Sequence, residues 1–177
     1  QAAAKDLMYL GAGAAALVTG AVLLAEKWAA AGTAIFDASE KTGISASKLS
    51  GLRATTQVLD ESFHSLTVTM SRMGKNIAIG VDQPAGELGK TLQRLMGGQQ
   101  ELTRLGLLPM EERIAAVTKK IFALNDVGQQ NILLTAMAGR GYNEVRSTLR
   151  ELGIQGYDPL IARAKQLGQY FDEQSAA

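Results

Sequence analysis

Apolar residues at the start of the chain recur at alternating intervals of three and four. This spacing is the a/d pattern of a helix that packs along one face, and here it continues over four heptads. It predicts one continuous helix over residues 2–40, which we call the seam helix. The positions on its packing face, the seam, are Leu7, Leu10, Ala14, Leu17, Ala21, Leu24, Trp28, Ala31 and Ile35.

The seam helix also contains an uncharged stretch of 19 residues, from Leu7 to Ala25. As a helix this stretch spans about 28 Å, the lower limit for crossing a bilayer. Gly11, Gly13 and Gly20 each cost an isolated helix about 1 kcal/mol, so they favour a helix that another helix approaches closely. The pattern therefore allows a self-associating or buried helix, a membrane-inserting segment, or both.

Glycine and serine divide the next part of the chain into shorter amphipathic helices. Thr42-Gly43 predicts the end of the seam helix, and Ser45 or Ser47 is expected to cap the next one. Asp60 is expected to open a further helix with a methionine-rich core face. That face comprises Phe63, Leu66, Met70, Met73 and Ile77.

Later helices are marked by glycine and proline. Pro84 predicts a helix start and Gly97-Gly98 its end. Two similar short motifs follow. Each is expected to end a helix at its glycine, Gly106 or Gly153, and each is followed by a proline. They are Leu102-Thr-Arg-Leu105-Gly106-Leu107 before Pro109 and Leu149-Arg-Glu-Leu152-Gly153-Ile154 before Pro159.

Together these patterns predict an all-α fold in three parts. Residues 1–42 form a long apolar, coiled-coil-like helix with a possible membrane-active segment. Residues 43–83 form a helical hairpin-like linker region, and residues 84–177 form a bundle of short helices.

Charge and cysteine content narrow the functional classes. The 18 basic and 17 acidic residues are interspersed and leave a formal charge of +1, so no block of charge favours specific nucleic-acid recognition. The absence of cysteine excludes disulfides and thiol chemistry. Because the chain begins with Gln1, we expect it to be processed or excised from a longer product.

No motif predicts catalysis. His64 is the only histidine, and Asp60 and Glu61 are expected to share its helical face as a surface pair. Gly139-Arg-Gly141 lacks the Lys-Ser/Thr of a phosphate loop and predicts a break between two helices. Glu111-Glu112 is an acidic pair suited to a helix N-terminus. The sequence therefore predicts no enzyme, with no catalytic residue, no cofactor or cofactor-binding residue, and no metal ligand.

Several short sequence motifs follow one another from Ala29 to Leu167, and their order is moderately specific for a protein family. They include Lys41-Thr-Gly-Ile-Ser45, Ser62-Phe63-His-Ser-Leu66, Met70-Ser-Arg-Met73, Leu105-Gly-Leu107, Ile121-Phe-Ala-Leu-Asn-Asp-Val, and Ala162-Arg-Ala-Lys-Gln-Leu167-Gly. This succession resembles the tail tape measure proteins of long-tailed bacteriophages and prophages. One departure is Met137-Ala-Gly139-Arg-Gly141, where many members carry Phe-Gly-Arg-Ser-Gly.

The resemblance implies a longer parent chain that occupies the lumen of the virion tail tube and sets tail length. It implies partners among the tail tube protein, the tail assembly chaperones and the tail-tip or baseplate proteins. The protein would reside in the host cytoplasm during assembly and leave the tube at genome ejection, when some members meet the host envelope. Alanine in the seam is compatible with a homo-oligomer, a trimer or higher. Two other hypotheses remain, a membrane-inserting helical pore-former and a stand-alone helical adaptor.

Overall fold

The computed structural model describes residues 26–172 and residue 174. Every regular element in this part of the chain is a helix, which confirms the all-α prediction. The elements are α1 (26–42), α2 (Ala46–Val58), α3 (Phe63–Asp82), α4 (Glu87–Met96), α5 (Gln99–Leu107), α6 (Met110–Phe122), α7 (Val127–Ala138), a 3-10 helix (Arg140–Val145), α8 (Arg146–Gln155) and α9 (Tyr157–Gln166).

Most of the seam helix, including the uncharged stretch from Leu7 to Ala25, lies outside the described residues. Its final part is α1, which ends at residue 42 as the sequence predicts. Gly43 follows with φ 68°, the left-handed conformation that ends many helices. None of the helices in the described range is long and apolar enough to span a bilayer.

The central helix is α3, which packs against α2, α4, α5, α6, α7 and the 3-10 helix. Its methionine-rich face is the core face, as predicted. Leu66, Met70, Met73 and Ile77 are fully buried, and Phe63 is partly buried. Burial of each such side chain contributes roughly 1.5–3 kcal/mol, so this face anchors the bundle.

The start of α3 differs from the prediction. Asp60 precedes the helix in a left-handed conformation, φ 55°, and Glu61 donates its N–H to Thr56 O to close α2. The cap of α3 is Ser62, whose hydroxyl accepts the N–H of Ser65 at 3.2 Å. The expected helix start at Asp60 was therefore wrong, because these residues end one helix before the next begins.

The most extensive pairing among helices α2 to α9 joins α2 to α9. At Gly51 a Cβ atom would lie 2.7 Å from the carbonyl carbon of Leu160 and from the backbone nitrogen of Ile161, so the two backbones meet there. A single buried cluster extends from Ile35 to Phe171 and includes residues of both 43–83 and 84–177. We call residues 44–172 the body.

Two predicted glycine caps are wrong. Gly106 lies inside α5 and Gly153 inside α8, which ends instead at Gly156 with φ 77°. A Cβ at Gly153 would lie 3.0 Å from Thr118 O, so the absence of a side chain allows close approach of α8 to α6. Glycine at these two positions allows neighbouring helices to pack closely. The sequence pattern alone does not distinguish such a glycine from one that ends a helix.

The other predicted breaks are mostly confirmed. Gly97 ends α4 with φ 106°, and Gly139 separates α7 from the 3-10 helix with φ 75°. The helix expected to start at Pro84 begins three residues later, at Glu87. A turn intervenes, in which Gly86 donates its N–H to Gln83 O at 3.0 Å.

Candidate functional site: the seat of the N-terminal helix

The described end of the seam helix, α1, packs its seam against the body. We call the contacts of α1 with α2 and with the C-terminal segment the seat of the N-terminal helix. Ile35 is fully buried and Ala31 is partly buried, whereas Trp28 is 50% exposed. Ala38 and Thr42 continue the spacing of three and four, and both are buried. From Ala31 onward, the body therefore covers the face of α1 on which the sequence repeat places the seam.

The C-terminal segment, residues 167–172, packs against α1 through Phe171. The Phe171 ring is buried, and its centroid lies 4.3 Å from that of Trp28. Gly32 leaves room for this ring, since a Cβ there would lie 3.3 Å from Phe171 Cε1. The buried Ser50 hydroxyl accepts the Phe171 N–H at 2.9 Å and lies 2.9 Å from the Phe171 carbonyl oxygen. Phe171 is thus fixed to α2 and covers α1.

Arg53 on α2 makes a second contact with α1. Its Nη1 donates to the carbonyl oxygen of Ala31 at 2.7 Å, and its guanidinium lies 5.8 Å from the centroid of the Phe63 ring. Burial lowers the pKa of Arg53, but a guanidinium stays charged at neutral pH. The charged hydrogen bond therefore joins α1 to α2 beside the ring of α3.

An open groove of about 550 Å³ lies where α1 enters the body. Lys27 and Trp28 line it from α1, and Leu167 and Gln169 line it from the C-terminal segment. Gln169 Oε1 is buried without a hydrogen-bond partner among the described atoms. The groove is thus continuous with the exposed part of the seam at Trp28.

We expect Phe171→Ala to loosen this seat. A buried Phe to Ala change costs about 3–5 kcal/mol, and here the lost contacts are with α1. Because Trp28 is the only tryptophan, its fluorescence should shift to the red and become more sensitive to acrylamide quenching. Tyr170→Ala is the control, since that ring contacts Lys165 at 4.7 Å instead. Equal quenching in wild type and Phe171→Ala would show that Phe171 does not hold α1.

A cluster of charged and polar side chains joins α2 to α6 and α9. Lys48 Nζ lies 2.7 Å from a carboxylate oxygen of Glu111 and 2.7 Å from one of Glu112. Glu111 Oε2 also accepts the N–H of Ser45, the residue before α2, at 2.8 Å. The sequence predicted that a serine side chain would cap α2, but Ser45 makes no side-chain capping hydrogen bond there. The Tyr157 hydroxyl donates to Glu111 O at 3.1 Å. The acidic pair therefore fixes a helix junction.

The cluster shifts the pKa values of its members. Burial opposes the charge of Glu111, but the Lys48 and Ser45 hydrogen bonds outweigh it and hold the pKa of Glu111 below 4.5. Burial likewise opposes the charge of Lys48, and the two carboxylates outweigh it and raise the pKa of Lys48 above 10.5. Burial, then the nearby carboxylates, raise the pKa of Tyr157, which stays neutral.

These directions predict a stability difference with pH. The Glu111 contribution is present above pH 4.5 and is lost as pH falls through its lowered pKa, while that of Lys48 is lost only above pH 10.5. At pH 7 we expect Glu111→Gln to lower Tm by about 2–4 °C, the effect of about 1 kcal/mol. Measured by calorimetry, the difference from wild type should shrink as the pH falls below 4.5 and vanish once the pH is below the lowered pKa of Glu111. The more exposed Glu112→Gln is the control, and a constant difference across this range would contradict the assignment.

The residues considered for acid–base chemistry are separated in the structure. His64 lies exposed on α3, and Asp60 lies before that helix. Glu61 points to another element, accepting the N–H groups of Ser147 and Thr148 at 2.9 and 3.0 Å. The expected shared face was wrong, because Glu61 caps the start of α8. Across the described residues, no group of three His, Cys, Asp or Glu side chains could hold a metal ion.

A scan of protein-family models and searches of curated proteins and of solved structures found no match to this chain. What the chain does is therefore inferred from its own residues. The seat of the N-terminal helix is the candidate site because there the seam meets the body. Of the residues that form it, Ser50, Arg53 and Phe171 were not indicated by the sequence.

Proposed function

We propose that this chain is a non-enzymatic segment of a bacteriophage tail tape measure protein. The observation that carries the proposal is the continuity of the seam: the spacing of the apolar upstream repeat persists through Ile35, Ala38 and Thr42 in α1. A ruler needs an extended helix with a defined rise per residue, and it needs a folded end that fixes its position. The order of the short sequence motifs, which resembles that in tape measure proteins, supports the same proposal.

In this proposal the seam helix is part of the rod, and the body is a folded element attached to it. The rod self-associates through its seam inside the tail tube. The tail tube protein surrounds it, and the assembly chaperones and tail-tip proteins contact the parent chain. The body keeps its fold because its core is continuous from α1 to the C-terminal segment.

The test is the presence of this chain in virions before and after genome ejection. Tails purified from phage particles should contain its peptides by mass spectrometry, and particles triggered to eject should have lost them. The major tail tube protein is the internal control, since it stays in the tail. Full retention of the chain after ejection, or its absence from intact tails, would contradict the proposal.

A second function is favoured by one observation, the uncharged 19 residues from Leu7 to Ala25. In this alternative, the segment inserts into membranes as part of a helical pore-former. The purified chain should then float with liposomes and release an enclosed dye. A chain that stays in the soluble fraction and leaves the dye enclosed would exclude this alternative for the free protein.

A further inference from the structure

The solvent-facing side of α3 is basic. Its residues recur at intervals that place them on the face opposite the methionine-rich core face. The last turn of α1 lies beside this side of α3, since the Ser71 hydroxyl donates to Lys41 O at 3.4 Å. An open pocket of about 420 Å³, which we call the basic pocket, lies where the two helices meet. It is lined by Lys41, His64, Thr67, Val68, Ser71, Arg72 and Lys75.

The cations of the basic pocket have no counterion within the described part of the chain. The side chains of Lys41, Arg72 and Lys75 form no hydrogen bond or ion pair with any described residue. No described residue that lines the pocket is acidic. Glu144, which contacts α3 nearby, instead accepts the Ser65 hydroxyl at 2.6 Å. The three positive charges therefore repel one another, and a bound anion would relieve that repulsion.

The helix break at Gly139 positions Arg72. A Cβ at Gly139 would lie 2.9 Å from Arg72 Cδ and 3.1 Å from Arg72 Cζ, so the arginine packs against bare backbone. One turn further along α3, Asn76 Nδ2 donates to Met137 O at 2.9 Å and holds the end of α7 against α3. The guanidinium is thus placed before a ligand binds, which reduces the conformational entropy that binding costs.

The electrostatics of the helices account for only one of these cations. Lys41 lies in the last turn of α1, where the helix dipole favours a positive charge without any ligand. Arg72 and Lys75 lie in the middle of α3, where the dipole has no such effect. Solvation explains single exposed lysines, but it gives no reason for three cations to gather around one cavity. A bound anion gives that reason.

We propose that the basic pocket binds a small phosphorylated ligand, whose phosphate oxygens accept hydrogen bonds from Lys41, Arg72 and Lys75. Three cations match a compact anion that carries more than one charge, and the planar fork of a guanidinium matches two oxygens of one phosphate group. A pocket of about 420 Å³ lies within the roughly 300–1,000 Å³ of small-molecule sites. Val68, which is 56% exposed, offers apolar surface to the rest of the ligand. This inference goes beyond the proposed function and does not depend on it.

The compact arrangement of the cations favours a small ligand over a nucleic acid. Proteins that bind a nucleic-acid backbone carry cations along an extended groove, and those that bind single strands add aromatic side chains on which bases stack. In the basic pocket the cations surround one cavity, and none of its described lining residues is aromatic apart from His64. The formal charge of +1 adds no long-range attraction for a polyanion.

Calorimetric titration of the full chain with inorganic pyrophosphate tests the proposal. We expect saturable binding at one site in the wild type. The double variant Lys41→Gln with Lys75→Gln should bind pyrophosphate about tenfold more weakly or worse, because two charged hydrogen bonds are lost. The control is Lys90→Gln with Lys120→Gln, which removes two exposed lysines that do not line the pocket. Binding by the control should stay within about twofold of wild type.

Melting temperatures give a second readout, which a purely structural role would change differently. Because Lys41 and Lys75 have no partner among the described residues, their double variant should melt within about 2 °C of wild type when no ligand is present. Pyrophosphate should raise the Tm of the wild type and of the control, and leave that of the Lys41 and Lys75 variant nearly unchanged.

Four results would overturn the proposal. The first is a wild type that shows no saturable binding of pyrophosphate. The second is an equal loss of binding in both double variants, which would show attraction by net charge alone. The third is a Lys41 and Lys75 variant that melts well below wild type without ligand, which would show that these side chains stabilise the fold. The fourth is a single-stranded oligonucleotide of about 12 nucleotides that binds far more tightly than pyrophosphate and displaces it, which would assign the pocket to nucleic acid.

Discussion

The full chain carrying Leu17→Asp and Leu24→Asp is expected to be monomeric, whereas we expect the wild type to self-associate through the predicted seam. Both leucines are seam positions in the sequence repeat, so the substitutions would put carboxylates into the proposed interface of apolar side chains. Each buried charge or polar group without a partner costs roughly 2 kcal/mol or more. With two substituted sites in each copy, the sum over two contacting copies reaches the ~8 kcal/mol of a micromolar complex. Light scattering at matched concentration measures the change.

A matched control is available at positions that the sequence repeat places away from the seam. Met8→Asp and Val22→Asp add the same charge to the same uncharged stretch but lie at b positions, away from the seam. This variant should remain oligomeric. If the seam variant keeps its wild-type mass, the seam is not the interface. If both variants become monomers, general hydrophobicity drives association, as a membrane segment would show.

Gly51→Ala is expected to destabilise the body by about 2 kcal/mol. The added Cβ would lie 2.7 Å from backbone atoms of Leu160 and Ile161, which cannot move as a flexible side-chain tip does. Overpacking of this kind costs about 1–3 kcal/mol or more and exceeds the ~1 kcal/mol that alanine gains over glycine in a helix. Since the α2–α9 pairing is the most extensive in the body, the loss should appear in denaturant unfolding as a lower midpoint.

The control is Gly141→Ala, where the nearest atom to the added Cβ is Thr69 Oγ1 at an ordinary 3.7 Å. We expect this variant to unfold within about 0.5 kcal/mol of wild type. A Gly51→Ala protein with unchanged stability would mean that α2 and α9 do not meet at this glycine.

The features that could be predicted from the sequence are those encoded locally. The face of α3 follows from a spacing of three and four among Leu66, Met70, Met73 and Ile77, because that spacing alone determines which side chains share a face. The end of α1 at Gly43 and of α4 at Gly97 follows from the conformational freedom of glycine. Each of these signals involves neighbours within one or two helical turns.

The seat of the N-terminal helix could not be predicted in this way. Ser50 and Phe171 are 121 positions apart, and no local pattern distinguishes this serine from the others that end or begin helices. Glu61 was assigned to its nearest histidine, while in the structure it caps α8, 86 positions away. Such pairings depend on how the helices pack, which the sequence pattern does not specify.

Tail length in phage that carry altered parent chains tests the central claim most directly. Inserting three, six or twelve copies of the heptad into the seam helix should lengthen tails in electron micrographs by about 1.5 Å per added residue. On the proposal that the body stays folded, deleting it should shorten them far less than the roughly 190 Å that residues 44–172 would span as one helix. Tails of constant length across the insertion series would contradict the claim that this chain belongs to a tail ruler.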